Sequence, residues 1–117
     1  MDLLTFYKAL ADNTRLQCLL LVEQESELCV CEFMAALKLS QPKISRHLAQ
    51  LRKVGILTDR KHKQWVYYRI NEQLPHWVKD IITQTYHHNR AFLRTATEQL
   101  NSMGDRPERV ANFCNNQ

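Results

Sequence analysis

Residues 40–48 decide the fold, and they read SQPKISRHL. Ser40 is a favourable N-cap residue for a helix. Pro42 falls in the first turn of that helix, where a missing backbone N–H leaves no hydrogen bond unmade. Ile44 and Leu48 stand four residues apart and therefore share one face. The pattern predicts an amphipathic helix that begins after Ser40.

Three helices are expected before this one. Apolar spacing predicts a first helix over residues 2–10, a second one capped by Asp12 or Asn13, and a third one over residues 30–37. Polar residues 23–27 form the connection between the second and third helices, and residues 38–40 form a tight turn before the fourth. Two helices joined by a short turn, with the second one basic, are typical of a helix-turn-helix.

After the fourth helix the pattern of apolar residues changes to one that is typical of β-strands. Residues 56–60 and 65–70 are rich in β-branched and aromatic residues, and the basic polar segment 61–64 separates them. This predicts a β-hairpin, which would be the wing of the helix-turn-helix. Pro75 opens a last long helix whose apolar stripe continues nearly to Gly104.

The predicted fold is therefore mainly α with a small β-hairpin. It is a winged helix-turn-helix with helices 1–4, a two-strand wing and a long C-terminal helix. We expect one DNA-binding and dimerisation domain over residues 1–104, followed by a flexible tail over residues 105–117. A core of this size is limited, and the first and last helices carry more apolar residues than it can cover, so a homodimer is expected.

Composition excludes several classes of protein. The chain has 117 residues, of which 44% are hydrophobic and 24% charged, as in one ordinary globular domain. No apolar run approaches the ~20 residues of a membrane span. The start lacks the basic segment of a secretory signal, so we expect a cytoplasmic protein with reduced cysteines. Only two glycines are present, which excludes a glycine-rich phosphate loop. No catalytic arrangement of residues stands out, and no enzyme is predicted.

Positive charge is concentrated in residues 41–69, which hold eight Lys and Arg side chains against one Asp, although the whole chain carries only +4. Such a segment indicates a nucleic-acid surface, with a solvated basic face as the alternative. The start of a recognition helix contacts base edges in the major groove, and a basic wing contacts the backbone or the minor groove. The predicted DNA-binding residues are Gln41, Lys43, Ser45, Arg46, His47, Arg60, Lys61, His62 and Lys63.

Two of the four cysteines suggest a ligand site. Cys18 lies among leucines and is predicted to be buried. Cys29 and Cys31 stand at the start of the third helix, where the first residue can leave the helix so that both sulfur atoms converge. The helix dipole is expected to lower the thiol pKa there, and thiolates suit a thiophilic ion. The spacing alone leaves a metal site and an ordinary buried pair equally open.

A histidine site on the last helix is the rival metal site. It would use His76, His87 and His88. Adjacent residues on a helix diverge by about 100°, and no acidic residue completes a face, so solvated histidines are favoured.

Four segments in this order resemble the ArsR/SmtB family of bacterial metalloregulators, and most closely its arsenic-responsive repressors of arsenical-resistance operons. They are ALADNTRL (residues 9–16), ELCVCE (27–32), SQPKISRHL (40–48) and WVYYR (65–69). The resemblance covers roughly residues 3–104. It implies a winged helix-turn-helix homodimer with the first and last helices at the interface. It also implies a repressor that leaves its operator when arsenite or antimonite binds.

The resemblance further implies that Cys29 and Cys31 bind arsenic. The familiar form of the motif has a third cysteine three residues later, where this chain has Met34. The third ligand would then be Cys114 or solvent, and a two-cysteine site would favour an organoarsenical. The alternatives are a repressor of the same fold that senses thiol oxidation or another soft metal ion, and a zinc-dependent structural protein.

Overall fold

A computed structural model describes residues 1–104 of the chain. The elements follow in this order: α1 (Leu3–Leu10), α2 (Asn13–Glu25), β1 (Glu27–Cys29), α3 (Val30–Leu37), α4 (Gln41–Lys53), β2 (Leu57–His62), β3 (Trp65–Ile70), α5 (His76–His88), a 3-10 turn (Arg90–Leu93) and α6 (Arg94–Asn101). The mainly helical fold with a small sheet, predicted from the sequence, is confirmed. Residues 105–117, predicted to be a flexible tail, lie outside the described residues.

The predicted helix-turn-helix is formed by α3 and α4. α3 ends at Lys38, whose backbone is left-handed with φ 53°. Ser40 takes the N-cap position of α4 with extended backbone, and Pro42 lies in the first turn as predicted. At the other end Gly55 adopts φ 85°, and the N–H of Ile56 donates to the carbonyl of Leu51 over 3.0 Å, which closes the helix.

α2 is the central helix of the core. Its residues 18–22 are all buried, because α2 contacts α1, α4, α5, β1 and β3. A helix that is surrounded in this way is apolar on several faces. From α4, Ile44, Leu48 and Leu51 complete this core and leave the opposite face of α4 exposed.

The wing differs from the predicted two-strand hairpin. It is part of a three-stranded antiparallel sheet with the order β1-β3-β2. The added strand β1 pairs Glu27 with Arg69 and Cys29 with Tyr67. Leu28, between them, is fully buried, and this burial together with the pairing holds so short a segment as a strand. The cysteine motif is therefore joined to the wing.

The predicted long C-terminal helix is also divided. α5 ends at Asn89, whose side-chain amide donates to the carbonyl of Thr85 over 2.9 Å. A 3-10 turn follows, and α6 then packs against α3. The apolar stripe continues across this break because Ile82 packs beside α2 while Leu100 is buried in the same core from α6.

Within the described part of the chain, no helix has the length and apolar character that crossing a membrane requires.

Candidate DNA-binding surface and thiol site

The predicted base-reading residues lie at the start of α4. Gln41, Lys43 and Arg46 are exposed, and Ser45 is half-buried. The Gln41 side-chain amide donates to Ser45 Oγ over 3.0 Å, so these two side chains are held together before any contact with DNA. The exposed surface at the start of α4 therefore presents one guanidinium, one ammonium and two hydrogen-bonding groups of the kind that read DNA.

His47 is placed differently from the other residues of this set. Its side chain is only 14% exposed, and its Nδ1 lies 3.8 Å from an Asp12 carboxylate oxygen. Asp12 caps α2 by accepting from the N–H of Arg15 over 3.0 Å. This hydrogen bond lowers the pKa of the Asp12 carboxyl. The His47 side chain therefore points toward the start of α2 and is not part of the exposed face of α4.

The predicted wing residues Arg60, Lys61, His62 and Lys63 are all exposed. β2 extends to His62 and pairs it with Trp65, so the hairpin turn is made by two residues. Lys63 occupies this turn with φ 58°. The turn therefore places basic side chains at the outer end of the wing.

Two acidic residues that sequence reasoning missed hold wing and helix arginines. Asp59 on β2 accepts from Arg52 Nη1 over 2.8 Å, which joins α4 to the wing. Glu27 on β1 accepts from Arg60 through both of its oxygens, over 3.1 Å and 2.7 Å. Asp59 is the one acidic residue within the basic segment 41–69, which was the available signal for the first pair, but the second pair depends on the unpredicted strand β1.

The two cysteines of the motif converge. Cys29 is the last residue of β1 and the N-cap residue of α3, with extended backbone, and Cys31 lies in the first turn. Their Sγ atoms are 3.0 Å apart, and both residues are buried. This is the geometry that the spacing predicted for a pair whose first member leaves the helix. The two sulfur atoms are therefore close enough together to bind the same ligand atom.

Glu32 is the buried polar residue of this site. It is 0% exposed, and its Oε1 accepts from the N–H of Cys29 over 2.9 Å. The carboxylate thus caps the start of α3, as the acidic member of a capping box does. A cysteine at the cap followed three residues later by glutamate was the sequence signal for this role.

The pKa of the Cys29 thiol is raised, whereas the sequence suggested that it would be lowered. Burial, and then the charge of Glu32, raise it to about 12. The helix start favours a thiolate, but desolvation and a nearby carboxylate disfavour one more strongly. Burial likewise raises the pKa of Cys18 to about 12, in keeping with its predicted place in the core.

Two aromatic residues of the wing pack against the cysteine pair, namely Trp65 and Tyr67 on β3. Cys114, predicted as a tentative third ligand, lies outside the described residues. Over residues 1–104, no three His, Cys, Asp or Glu side chains come close enough together to hold a metal ion. This applies to the rival set of His76, His87 and His88 as well.

Exposed apolar side chains form a patch on α1 and at the start of α5. Leu4 of α1 is 65% exposed, and the buried Phe6 ring of α1 contacts the ring of Trp77 with centroids 5.6 Å apart. The large apolar residues exposed in the described part of the chain are Met1, Leu3, Leu4, Tyr7, Trp77 and Phe92. By contrast Ile82 and Leu93, which belong to the apolar stripe predicted for the last helix, are 1% exposed inside the protomer's own core.

Comparisons with known proteins agree with this architecture. Residues 12–59 match the bacterial regulatory protein, arsR family. The chain is 51% identical to the "Arsenic resistance transcriptional regulator ArsR1" of Pseudomonas putida over 87% of this chain and 80% of that protein. It is 51% identical to the "Arsenical resistance operon repressor" of Escherichia coli K12 over 68% of each chain.

Among solved structures, HlyU from Vibrio cholerae N16961 superposes with a TM-score of 0.66 at 34% identity, covering 74% of this chain and 90% of that one. The relatives are transcriptional regulators and not enzymes. The chain belongs to the ArsR family of bacterial regulatory proteins.

Proposed function

We propose that the protein is a transcriptional repressor that binds operator DNA as a homodimer and is released when arsenite or antimonite binds Cys29 and Cys31. The observation that carries the proposal is the 3.0 Å approach of the two sulfur atoms where the wing sheet meets the helix-turn-helix. The names of the Pseudomonas putida and Escherichia coli relatives support arsenic as the signal. Its place of action is the cytoplasm, where bacterial DNA lies.

The DNA-binding part of the proposal rests on the exposed basic surface. Arg46 and Gln41 have the side chains that pair with guanine and adenine edges, while Lys43 and Ser45 suit phosphates. The wing residues from Arg60 to Lys63 supply backbone contacts. His47 can contact DNA only if its side chain turns away from Asp12, so we expect it to contribute least to DNA binding.

The inducer part rests on sulfur chemistry. Arsenite, As(OH)₃, exchanges one hydroxyl for each cysteine sulfur, and the thiol proton leaves with that hydroxyl as water. Arsenic remains trivalent, so the step needs no oxidant. Because the pKa of Cys29 is raised to about 12, this residue enters the exchange as a thiol. Soft thiol ligands favour arsenic(III) and antimony(III) over hard cations.

Release from DNA follows from the position of the cysteines. α3 begins directly after Cys29 and packs against α4. A ligand that fixes both sulfur atoms also fixes the start of α3, and with it the orientation of the recognition helix. Coupling of about 1–3 kcal/mol per site lowers operator affinity 5- to 150-fold.

The homodimer rests on the apolar patch of α1 and α5. Leu3, Leu4 and Tyr7 are each about half exposed or more, which is costly in water unless another surface covers them. A two-fold contact between these helices would place two recognition helices side by side, as operator half-sites require.

The third arsenic ligand is assigned to Cys114 or solvent, and one variant separates them. If Cys114 supplies a sulfur atom, Cys114→Ser will need much more arsenite for release. It will respond normally to a monomethylated trivalent arsenical, which takes only two sulfur atoms. An unchanged arsenite dose–response assigns the third position to solvent.

Thiol oxidation is the second candidate signal, favoured by the same short distance between sulfur atoms. Joining them would transfer two electrons to an oxidant such as hydrogen peroxide. Release by peroxide that dithiothreitol reverses, with no response to arsenite, would favour this candidate.

The experiment that tests the proposal is a fluorescence-anisotropy titration of a candidate operator. We expect tight binding without inducer and release with arsenite or antimonite. Binding that neither ion changes would refute the inducer assignment.

A further inference from the structure

The cysteine pair and the wing share one face of a sheet. Cys29 on β1 and Arg60 on β2 both have Tyr67 on β3 as their cross-strand partner. Directly opposed residues of antiparallel strands project to the same face. Cys29, Tyr67 and Arg60 therefore form a row across all three strands, with the aromatic ring between the thiol and the guanidinium.

Contacts within this row hold Arg60 beside the cysteine site. The Arg60 guanidinium carbon lies 5.1 Å from the centroid of the Tyr67 ring, within the range of a cation–π interaction. The same guanidinium makes its two hydrogen bonds to Glu27, which stands two residues before Cys29 and on the same face. Tyr67 in turn packs against the cysteine pair.

We propose that Tyr67 and Glu27 are positioning residues that link occupancy of the cysteine pair to the position of Arg60, so that the wing as well as the recognition helix responds to the inducer. This inference rests on the proposed function. An atom bound to both sulfur atoms must share the space against the Tyr67 ring. Displacing that ring removes the surface on which the guanidinium lies, and moving β1 shifts the carboxylate that orients it.

The inducer should weaken the contact of Arg60 with DNA, because Arg60 is held in place only when the inducer is absent. Without the inducer, Glu27 and Tyr67 fix a long, flexible side chain on the wing, so Arg60 loses less conformational freedom when it meets DNA. With the cysteines liganded, Arg60 is released and this advantage is lost. The inducer thus weakens the wing contact in addition to altering α4.

The test measures a coupling ratio, defined as the operator dissociation constant with saturating arsenite divided by that without arsenite. For the wild type we expect a ratio of roughly 5 to 150. For Glu27→Gln and Tyr67→Ala the ratio should fall by roughly two- to fivefold, since one ion pair or one ring contact is removed. Bound arsenic per protomer, measured after gel filtration, should stay at the wild-type value.

Two variants serve as controls. Lys61→Gln removes a wing charge from the opposite face of β2, so it should weaken operator binding and leave the coupling ratio unchanged. Tyr67→Phe keeps the ring and should keep the ratio, even if Tyr67→Ala fails to fold. A wild-type ratio in Glu27→Gln, with normal arsenic content, or a ratio reduced equally by Lys61→Gln, would overturn the inference. A wild-type protein that arsenite does not release would instead overturn the proposed function, and this inference with it.

Discussion

Arg52 Nη1, at the end of α4, lies 2.8 Å from Asp59 Oδ2 on β2, so one ion pair joins the recognition helix to the wing. The chain between these residues is short and turns at Gly55. The pair therefore fixes the angle between the two elements that are proposed to contact DNA. Both side chains are well exposed to solvent, so the pair contributes more to orientation than to stability.

Asp59→Asn tests this orientation. We expect nearly unchanged thermal stability and a severalfold loss of specific operator affinity, because the wing is no longer held in register with α4. Asp80→Asn, on the exposed side of α5, makes the same change of net charge and is the control. Equal operator affinity for Asp59→Asn and Asp80→Asn in anisotropy titrations would argue against the orienting role.

Arg46→Ala tests the recognition helix. If Arg46 reads a base, its loss costs about 1–3 kcal/mol of specific binding. Lys63→Ala should weaken binding to all sequences alike and reduce the salt slope by about one. Arg94→Ala, which removes an exposed charge from α6, should change neither quantity. Operator affinity of the wild-type strength in Arg46→Ala would refute the assignment of α4 as the base-reading element.

The helix-turn-helix could be predicted because its signals are local. Ser40, Pro42 and the apolar spacing of α4 all lie within one short segment. β1 could not be predicted, since three residues are too few for a period and the strand exists because of pairing with distant Tyr67 and Arg69. The raised pKa of Cys29 was missed for a similar reason. It depends first on the burial of Cys29 itself and then on the charge of the Glu32 carboxylate beside it, and only the folded chain produces both.

A similar limit applies to the dimer interface that was predicted from the last helix. Its apolar stripe was interpreted as part of a dimer interface, but Ile82 and Leu93 are buried by the protomer itself. Sequence periodicity cannot tell the two kinds of burial apart. A charge at either position would therefore unfold the protomer and would say nothing about the interface.

Leu4→Glu is the better test of the dimer, because Leu4 is 65% exposed in the protomer. We expect a folded monomer with native helical content, and weakened operator binding, since one recognition helix then binds alone. Gln73→Glu, in an exposed connection, should remain dimeric. Sedimentation at micromolar concentration measures both, and a dimeric Leu4→Glu or a monomeric wild type would contradict the proposed interface.

The buried thiol of Cys18 predicts alkaline destabilisation. Burial raises its pKa from 9.0 to about 12, so above pH 9 the unfolded state loses a proton that the folded state keeps. Stability therefore falls with rising pH, by about 1.4 kcal/mol per pH unit for one such group between the two pKa values. Urea unfolding at pH 8, 9 and 10 should give a shallower decline in Cys18→Ala than in the wild type. Equal declines would contradict a buried neutral thiol.

The central claim is that Cys29 and Cys31 sense the inducer, and the arsenite dose–response of operator release in their double serine variant tests it most directly. The Cys29→Ser, Cys31→Ser protein should bind the operator as the wild type does, because both cysteine side chains are buried and are not presented to DNA. It should not be released, because a hydroxyl does not replace a sulfur atom for a soft ligand. Cys18→Ser, the matched control, should keep the response at reduced stability. Full release of the double variant by arsenite would contradict the account.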